Sequence, residues 1–354
     1  MSKFQLTGRK RQAAGIILIA IMLWVIIYAP TSLVIYEPGL TFETEPLVQH
    51  GQGEKRAPIP SEEGEQGAFL LTTVKLTDAK YWQVIQAAWK KDFAVYSKDS
   101  VMQGMPEKEY QQAMKLEMTA SKHFAVEAAY RYAGIAYTTS TELYISKIYG
   151  ESKDIRVGDR VIKVEGENVN DMEQFTAAVM DKKEGDIVAL VLQRGENKIF
   201  AMVPYHLLFG NITNALIAPV PDGLSLGELD IVVPENPADE IEIKAGDIGG
   251  PSAGLMFTLQ SLNLLLEKDM TEGLRIAGTG TMDSLGNVGA IGGIAYKVAA
   301  ADQAGAQLFL APEGNYAEAS AKAKELHSEM KVVPVTSLDT AVSAIRNAAA
   351  HINE

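Results

Sequence analysis

A serine among glycines, and a lysine some forty residues later, are the residues whose types and spacing could do covalent chemistry. Ser252 lies in the motif Gly-Gly-Pro-Ser-Ala-Gly at residues 249–254, directly before an apolar segment at residues 255–266. Glycines before a helix let backbone N–H groups crowd a small volume, and a helix N-terminus favours negative charge. The pattern therefore indicates a nucleophilic serine beside an oxyanion hole.

A nucleophilic serine needs a base that takes its proton, and Lys297 is the candidate. It follows Ile-Gly-Gly-Ile-Ala-Tyr at residues 291–296, and its neighbours through Ala301 include no acid. Only neutral lysine can act as a base, so its pKa of about 10.4 must fall by roughly 2–3 units. Burial among apolar groups would lower the pKa in this way, because desolvation penalises the ammonium.

Together these motifs resemble the proteolytic domain of Lon-family serine proteases. The longer string at residues 247–257 is similar to the membrane-anchored, PDZ-containing Lon-like proteases of Gram-positive bacteria, the YlbL type. The ATP-dependent Lon enzymes usually carry an aspartate where this chain has Gly249, and the anchored subgroup does not. The resemblance implies that Ser252 is the nucleophile and Lys297 the general base. It also implies oxyanion or supporting positions at Gly249, Gly250, Ala253 and Thr281.

Composition excludes several other kinds of site. The formal net charge of −13 argues against a nucleic-acid partner. The chain has no cysteine, and its five histidines form no His-Glu-x-x-His pair, so we expect no metal. We expect no cofactor either, because no Gly-x-x-x-x-Gly-Lys-Ser/Thr motif for ATP is present.

The N-terminal segment predicts a membrane anchor. Basic residues precede an uncharged, largely apolar run at residues 12–36. We expect a cytoplasmic tail at residues 1–12, a transmembrane helix at residues 13–35 and a catalytic portion outside the cell membrane. The alternative is a cleaved signal peptide, but the apolar run is long for one and lacks a small-x-small cleavage pattern before Pro30.

Residues 36–68 predict a linker, since much of this stretch is rich in Glu, Gly, Pro and Gln. Residues 69–134 predict a strand, at residues 69–76, and two helices, at residues 79–89 and 106–132. We expect this region to pack with one of the two domains that follow it.

Residues 135–204 resemble a PDZ domain. The string Val-Gly-Asp-Arg-Val-Ile-Lys-Val-Glu-Gly at residues 157–166 and the later Gly-Asp at residues 185–186 carry that resemblance. Such a domain binds an extended peptide as an added strand, and residues 134–137 are the candidate loop for its terminal carboxylate. A β-rich spacer without a ligand is the alternative.

Residues 205–350 alternate strand and helix as a Lon-type α/β proteolytic domain would. The fold class expected for the whole chain is therefore α+β and multidomain. The expected function is ATP-independent cleavage of extended peptides or proteins by a Ser-Lys dyad, with the PDZ domain selecting substrates or regulating activity. The alternative is a membrane-tethered peptide-binding scaffold with a poorly active protease domain. By analogy with Lon-type domains, we also expect a homo-oligomeric ring.

Overall fold

The computed structural model describes residues 8–51, 67–90, 92–149, 154–208, 223–246, 248–266 and 269–352. Its helices are α1 (Gly8–Tyr28), α2 (Tyr81–Ala87), α3 (Lys98–Met102), α4 (Glu107–Ala133), α5 (Met172–Ala178), α6 (Tyr205–Leu208), α7 (Gly254–Leu265), α8 (Ile294–Gln303), α9 (Tyr316–Glu325) and α10 (Leu338–Ile352). Its strands are β1 (Pro30–Glu43), β2 (Val48–His50), β3 (Ala68–Lys80), β4 (Ala94–Ser97), β5 (Tyr137–Tyr149), β6 (Arg160–Val164), β7 (Glu167–Asn168), β8 (Ile187–Arg194), β9 (Asn197–Pro204), β10 (Gly223–Pro234), β11 (Ile241–Ile243), β12 (Arg275–Gly278), β13 (Thr281–Met282), β14 (Val288–Gly289), β15 (Leu308–Pro312) and β16 (Lys331–Val335).

The first sheet joins strands from both ends of the chain. Its order in the described residues is β16-β15-β12-β3-β1-β4. Strands β16, β15, β12 and β3 run parallel, whereas β1 pairs antiparallel with both β3 and β4. Every residue of β15 is buried. A parallel strand that is covered on both faces has a nearly continuous apolar sequence, as β15 does.

Helices cover both faces of this sheet. Successive side chains of β3 point to opposite faces, so Phe69 and Leu71 pack with α4, α7 and α10, while Leu70 packs with α8 and α9. Fully burying one such side chain contributes about 1.5–3 kcal/mol to stability. Residues 69–134, which the sequence predicts to pack with one of the two following domains, supply β3 to this sheet and α4 to the face that also carries α7.

The second sheet has a core of its own. Strands β10, β5, β6, β8 and β9 pair antiparallel in that order, and β7 pairs with β6. Phe175 of α5 is buried with Leu143, Leu190 and Leu192 of the sheet. Strand β10 pairs with β5 over nearly its whole length, although the sequence assigns residues 223–234 to the proteolytic domain.

The predicted transmembrane helix at residues 13–35 is wrong. Helix α1 ends at Tyr28, and β1 begins at Pro30, where Val34 and Ile35 are buried in pairing with β3 and β4. In the part of the chain that the structure describes, no helix is both long and apolar enough to cross a membrane. The predicted fold class is corrected to a mixed α/β protein, and the predicted single-pass location loses its support.

The predicted linker also differs from the structure. Residues 36–43 belong to β1, and Val48–His50 form β2, which pairs with β11. Residues 52–66 lie outside the described residues. Apolar and β-branched residues in β1 pair with β3, a partner that the local composition of residues 36–68 does not reveal.

Candidate active site

Ser252 lies in a short 3₁₀ turn, Pro251–Ala253, that leads directly into α7. Gly250, immediately before the turn, has a φ of +85°, a backbone conformation that side-chain-bearing residues rarely adopt. Gly254, the first residue of α7, packs so closely on β13 that a Cβ there would lie 2.8 Å from the Met282 amide nitrogen. These two glycines shape the turn that holds Ser252 at the N-terminus of a buried helix.

Lys297 lies in the first turn of α8, on the face that packs against the first sheet. Ile294, Val298 and Ala301 share that face at helical spacing, and all three are buried in one apolar cluster. The Lys297 side chain is itself 4% exposed. The helix therefore carries a lysine at a position where its pattern otherwise requires an apolar residue.

The two residues meet across the end of the sheet. Lys297 Nζ lies 2.7 Å from Ser252 Oγ, within hydrogen-bonding distance. The contact joins the turn before α7 to the first turn of α8, so it depends on both helices packing on the same sheet. A serine hydroxyl this close to an amine can transfer its proton directly when the amine is neutral.

Thr279 is a second hydrogen-bonding partner of Lys297, and the sequence did not predict it. Its Oγ1 accepts a hydrogen bond from Lys297 Nζ at 2.9 Å and donates one to the Ser252 carbonyl oxygen, also at 2.9 Å. The Gly280 amide donates to the same carbonyl at 3.0 Å. Because the threonine hydroxyl accepts an N–H of Lys297, it helps to orient the amine lone pair toward Ser252 Oγ.

Burial lowers the pKa of Lys297 to about 8. Desolvation by the surrounding apolar groups is the cause, and an acid that would stabilise the ammonium does not contribute. This agrees with the expectation drawn from its acid-free neighbours in the sequence. A substantial fraction of the lysine is therefore neutral at mildly alkaline pH.

The expected oxyanion positions lie around the serine, but one amide is already occupied. Gly249, Gly250 and Ala253 flank Ser252 as the sequence requires. The Gly250 N–H donates to the carbonyl oxygen of Met114 in α4 at 3.0 Å, so it points at a helix and not at the serine hydroxyl. Pro251 has no amide N–H, and the Gly254 and Leu255 amides donate to the Pro251 and Gly280 carbonyl oxygens. The Ser252 and Ala253 amides are therefore the remaining candidate donors, with the helix N-terminus adding positive potential.

Thr281, the supporting hydroxyl expected from the sequence, lies elsewhere. It pairs with Gly289 in the β13–β14 hairpin, and its side chain lines a cavity next to Pro251. The hydroxyl in contact with the lysine belongs to Thr279, two residues earlier. The sequence Gly-Thr-Gly-Thr at residues 278–281 offers both hydroxyls, and the choice between them depends on how β12 ends.

Helix α4 also contacts the serine turn. Besides the Met114 carbonyl, Ser121 Oγ donates to the Pro251 carbonyl oxygen at 3.1 Å. Met118 and Ala125 of the same helix are buried with α7 in the core. The position of Ser252 thus depends on a helix that precedes it by more than one hundred residues in the chain.

Two other sequence predictions concern ligands. Within the described ranges, no group of three or more His, Asp or Glu side chains could hold a metal ion.

The candidate carboxylate loop at residues 134–137 joins α4 to β5, and its Gly134 and Ile135 amides donate to carbonyls of α4. Those two amides are therefore not available to bind a peptide carboxylate.

Comparison with known proteins bears on the region around this site. Residues 239–347 match the family model described as Lon protease (S16) C-terminal proteolytic domain. A Lon protease of Aster yellows witches'-broom phytoplasma (strain AYWB) is 27% identical over 96 residues, which are 27% of this chain and 12% of that relative. The family match includes Ser252, Thr279 and Lys297 and supports a serine peptidase. It does not extend to residues 13–35 or 135–204.

Proposed function

We propose that this chain is an ATP-independent serine endopeptidase in which Ser252 is the nucleophile and Lys297 the general base. The observation that carries the proposal is the 2.7 Å contact between Ser252 Oγ and the Nζ of a buried lysine. The family match of residues 239–347 supports the same class of reaction. The lowered pKa of Lys297, about 8, supports its assignment as the base.

In the acylation step, Ser252 Oγ attacks the carbonyl carbon of the scissile peptide bond while its proton moves to the neutral Nζ of Lys297. The carbonyl oxygen becomes an oxyanion, which backbone amides beside Ser252 and the N-terminus of α7 stabilise. Lys297 then gives the proton to the departing amine as the C–N bond breaks. The products are a free amine and an ester between the substrate and Ser252.

In the deacylation step, Lys297 is neutral again and takes a proton from water as the water oxygen attacks the ester carbonyl. Collapse of the second tetrahedral intermediate breaks the ester bond, and Lys297 returns the proton to Ser252 Oγ. Thr279 takes no proton in either step. It positions the amine by accepting one N–H and holds the Ser252 carbonyl by donating its own hydroxyl.

The substrates we propose are peptides or protein segments that are already extended. These 354 residues contain no P-loop motif that could power unfolding by ATP hydrolysis. We further propose that the second sheet, most of whose strands lie within the PDZ-like range 135–204, selects substrates or regulates the peptidase. Its separate apolar core supports this division of the chain into two functional parts.

The proposal is tested with the full chain and a fluorogenic peptide library. We expect hydrolysis that Ser252→Ala and Lys297→Ala each abolish, with a double variant no worse than either one, because the two residues act as a unit. A fluorophosphonate should label Ser252 covalently with loss of fluoride, as located by mass spectrometry, and a peptidyl boronate should inhibit hydrolysis reversibly. Retention of more than about one hundredth of the activity in folded Ser252→Ala would contradict the proposal.

A further inference from the structure

A cavity of about 440 Å³ lies between α4 and the β13–β14 hairpin, and we call it the Glu117 cavity. Glu117 and Phe124 line it from α4, while Met282, Asp283 and Val288 line it from the hairpin. Its volume is within the range of small-ligand sites, which hold roughly 300–1,000 Å³. It is therefore large enough for one long side chain.

The Glu117 cavity adjoins the reactive serine. Pro251, the residue before Ser252, is part of its lining, as is Ser121, whose hydroxyl donates to the Pro251 carbonyl. Thr281, two residues beyond Thr279, lines it from the other side. A side chain bound in this cavity must therefore belong to a substrate residue close to the bond that Ser252 attacks.

The lining combines apolar walls with negative charge. Phe124, Met282 and Val288 supply apolar surface, and Glu117 and Asp283 supply carboxylates, whereas none of the lining residues is a lysine, arginine or histidine. A lysine or arginine side chain has the matching form, because its apolar stem can lie along the walls and its charged end can reach a carboxylate.

The two carboxylates differ in what they already bind. Asp283 accepts hydrogen bonds from the amides of Leu285 and Asn287 and from the Asn287 side chain, so its oxygens hold the hairpin together. For Glu117, the structure gives no hydrogen bond or ion pair with any described residue. Glu117 is therefore the carboxylate that is free to bind a substrate cation.

The surroundings of Glu117 strengthen such a pairing. Neighbouring atoms raise the pKa of its carboxyl group by displacing part of the surrounding water, although the residue as a whole is exposed. Charges attract each other more strongly where water is displaced. The chain's net charge of −13 would in addition attract cationic peptides to it.

We infer that the Glu117 cavity receives a lysine or arginine side chain of the substrate and that Glu117 determines this preference. The inference rests on the proposed peptidase function and adds a substrate class to it. An apolar substrate side chain would fit the walls but would bury the Glu117 carboxylate without a partner, which is unfavourable.

The test compares the full-length chain with Glu117→Gln, which keeps the shape of the side chain, and Glu117→Lys, which reverses its charge. A peptide library randomised on both sides of the cleaved bond gives kcat/KM for each residue at each position. We expect a preference for Lys and Arg over Leu at one position, reduced about tenfold or more by Glu117→Gln. Glu117→Lys should shift the preference at that same position toward Glu and Asp.

Glu318→Gln is the matched control, because it removes the same charge from an exposed position of α9, which packs on the opposite face of the first sheet from α4. It should leave the preference unchanged. Cleavage that depends on Ser252 but shows the same preference in wild type, Glu117→Gln and Glu117→Lys would overturn the assignment of this cavity alone. Absence of any cleavage that depends on Ser252 would overturn the peptidase proposal, and the substrate class with it.

Discussion

The Gly250 amide donates a hydrogen bond to the carbonyl oxygen of Met114 at 3.0 Å, which ties the serine turn to α4. Gly250 reaches this position with a φ of +85°. The geometry around Ser252 therefore depends both on a residue without a side chain and on a helix outside the segment that matches the Lon proteolytic domain.

We expect Gly250→Ala to reduce activity at least tenfold and to destabilise the fold by about 1–3 kcal/mol, because alanine is strained at this φ. The new methyl group itself would have room, since the nearest atom to a Cβ there, Met114 Sδ, would be 4.0 Å away. Gly292→Ala is the control, because a Cβ there meets no atom within 4 Å. Peptidase rates and urea unfolding measure both effects, and equal behaviour of the two variants would contradict this reading of Gly250.

Thr279→Val should lower kcat by about ten- to a hundredfold, because it removes the hydroxyl that accepts from Lys297 and donates to the Ser252 carbonyl. Thr279→Ser retains a hydroxyl and should remain close to wild type. The pH–rate profile of Thr279→Val should shift to lower pH. The Lys297 ammonium loses a hydrogen-bond acceptor in this variant, which lowers the pKa of Lys297 further. A loss of the same size in the serine and valine variants, with no shift of the profile, would mean that Thr279 acts only through packing.

Activity should rise with pH through a single ionisation near 8, the lowered pKa of Lys297, and then level off. About a tenth of the lysine is neutral at one pH unit below its pKa, and about nine-tenths at one unit above it. Lys297→Arg should be inactive throughout, because guanidinium stays protonated at these pH values. The measurement is kcat/KM from pH 6 to 10, and a folded, active arginine variant would show that the base lies elsewhere.

Lys297→Met should stabilise the fold at neutral pH by up to about 3 kcal/mol, since burying the ammonium lowers its pKa from 10.5 to about 8. Below pH 8 the lysine is protonated in both the folded and the unfolded state, so the wild type carries the full penalty. Between pH 8 and 10.5 only the unfolded state binds the proton, and wild-type stability should rise with pH toward that of the variant.

Lys322→Met serves as the control for this stability change. Lys322 is also a buried lysine, but it pairs with Asp92 and Glu325. Its replacement should destabilise the fold, because Asp92 then loses its partner. Urea unfolding at several pH values tests both variants, and a Lys297→Met protein that is less stable than wild type at pH 7 would contradict the expected cost of the buried ammonium.

The sequence singles out Ser252 and Lys297 because the evidence for each is local, and the structure places the two side chains in contact. Glycines, an apolar helix and an acid-free lysine segment are all visible within short stretches. The nearby hydroxyl is less predictable, since Thr279 and Thr281 are two residues apart and only the geometry at the end of β12 distinguishes them. The contact of Gly250 with Met114 joins distant segments, and no local pattern encodes it.

The error at residues 13–35 has a physical cause as well. Apolar residues such as Val34 and Ile35 satisfy a transmembrane pattern and a buried strand equally well, because both environments exclude water. Pro30 is the local signal that separates the two, since proline interrupts a helix and is tolerated at the first residue of a strand. The partner strand β3 lies beyond the glycine- and proline-rich stretch, so its pairing with β1 could not be seen in the apolar run itself.

The parallel pairing of β3 with β12 also constrains the order in which the chain can fold during synthesis. Residues 68–71 must wait for residues 275–278, about two hundred positions later, whereas the strands of the second sheet find their partners within a shorter stretch. We expect ribosome-stalled chains that end before residue 290 to escape labelling by a serine-directed probe. A nascent chain would then emerge without an assembled serine–lysine pair, so a peptidase of the proposed kind could not cleave its own unfolded segments or those of its neighbours until synthesis was nearly complete.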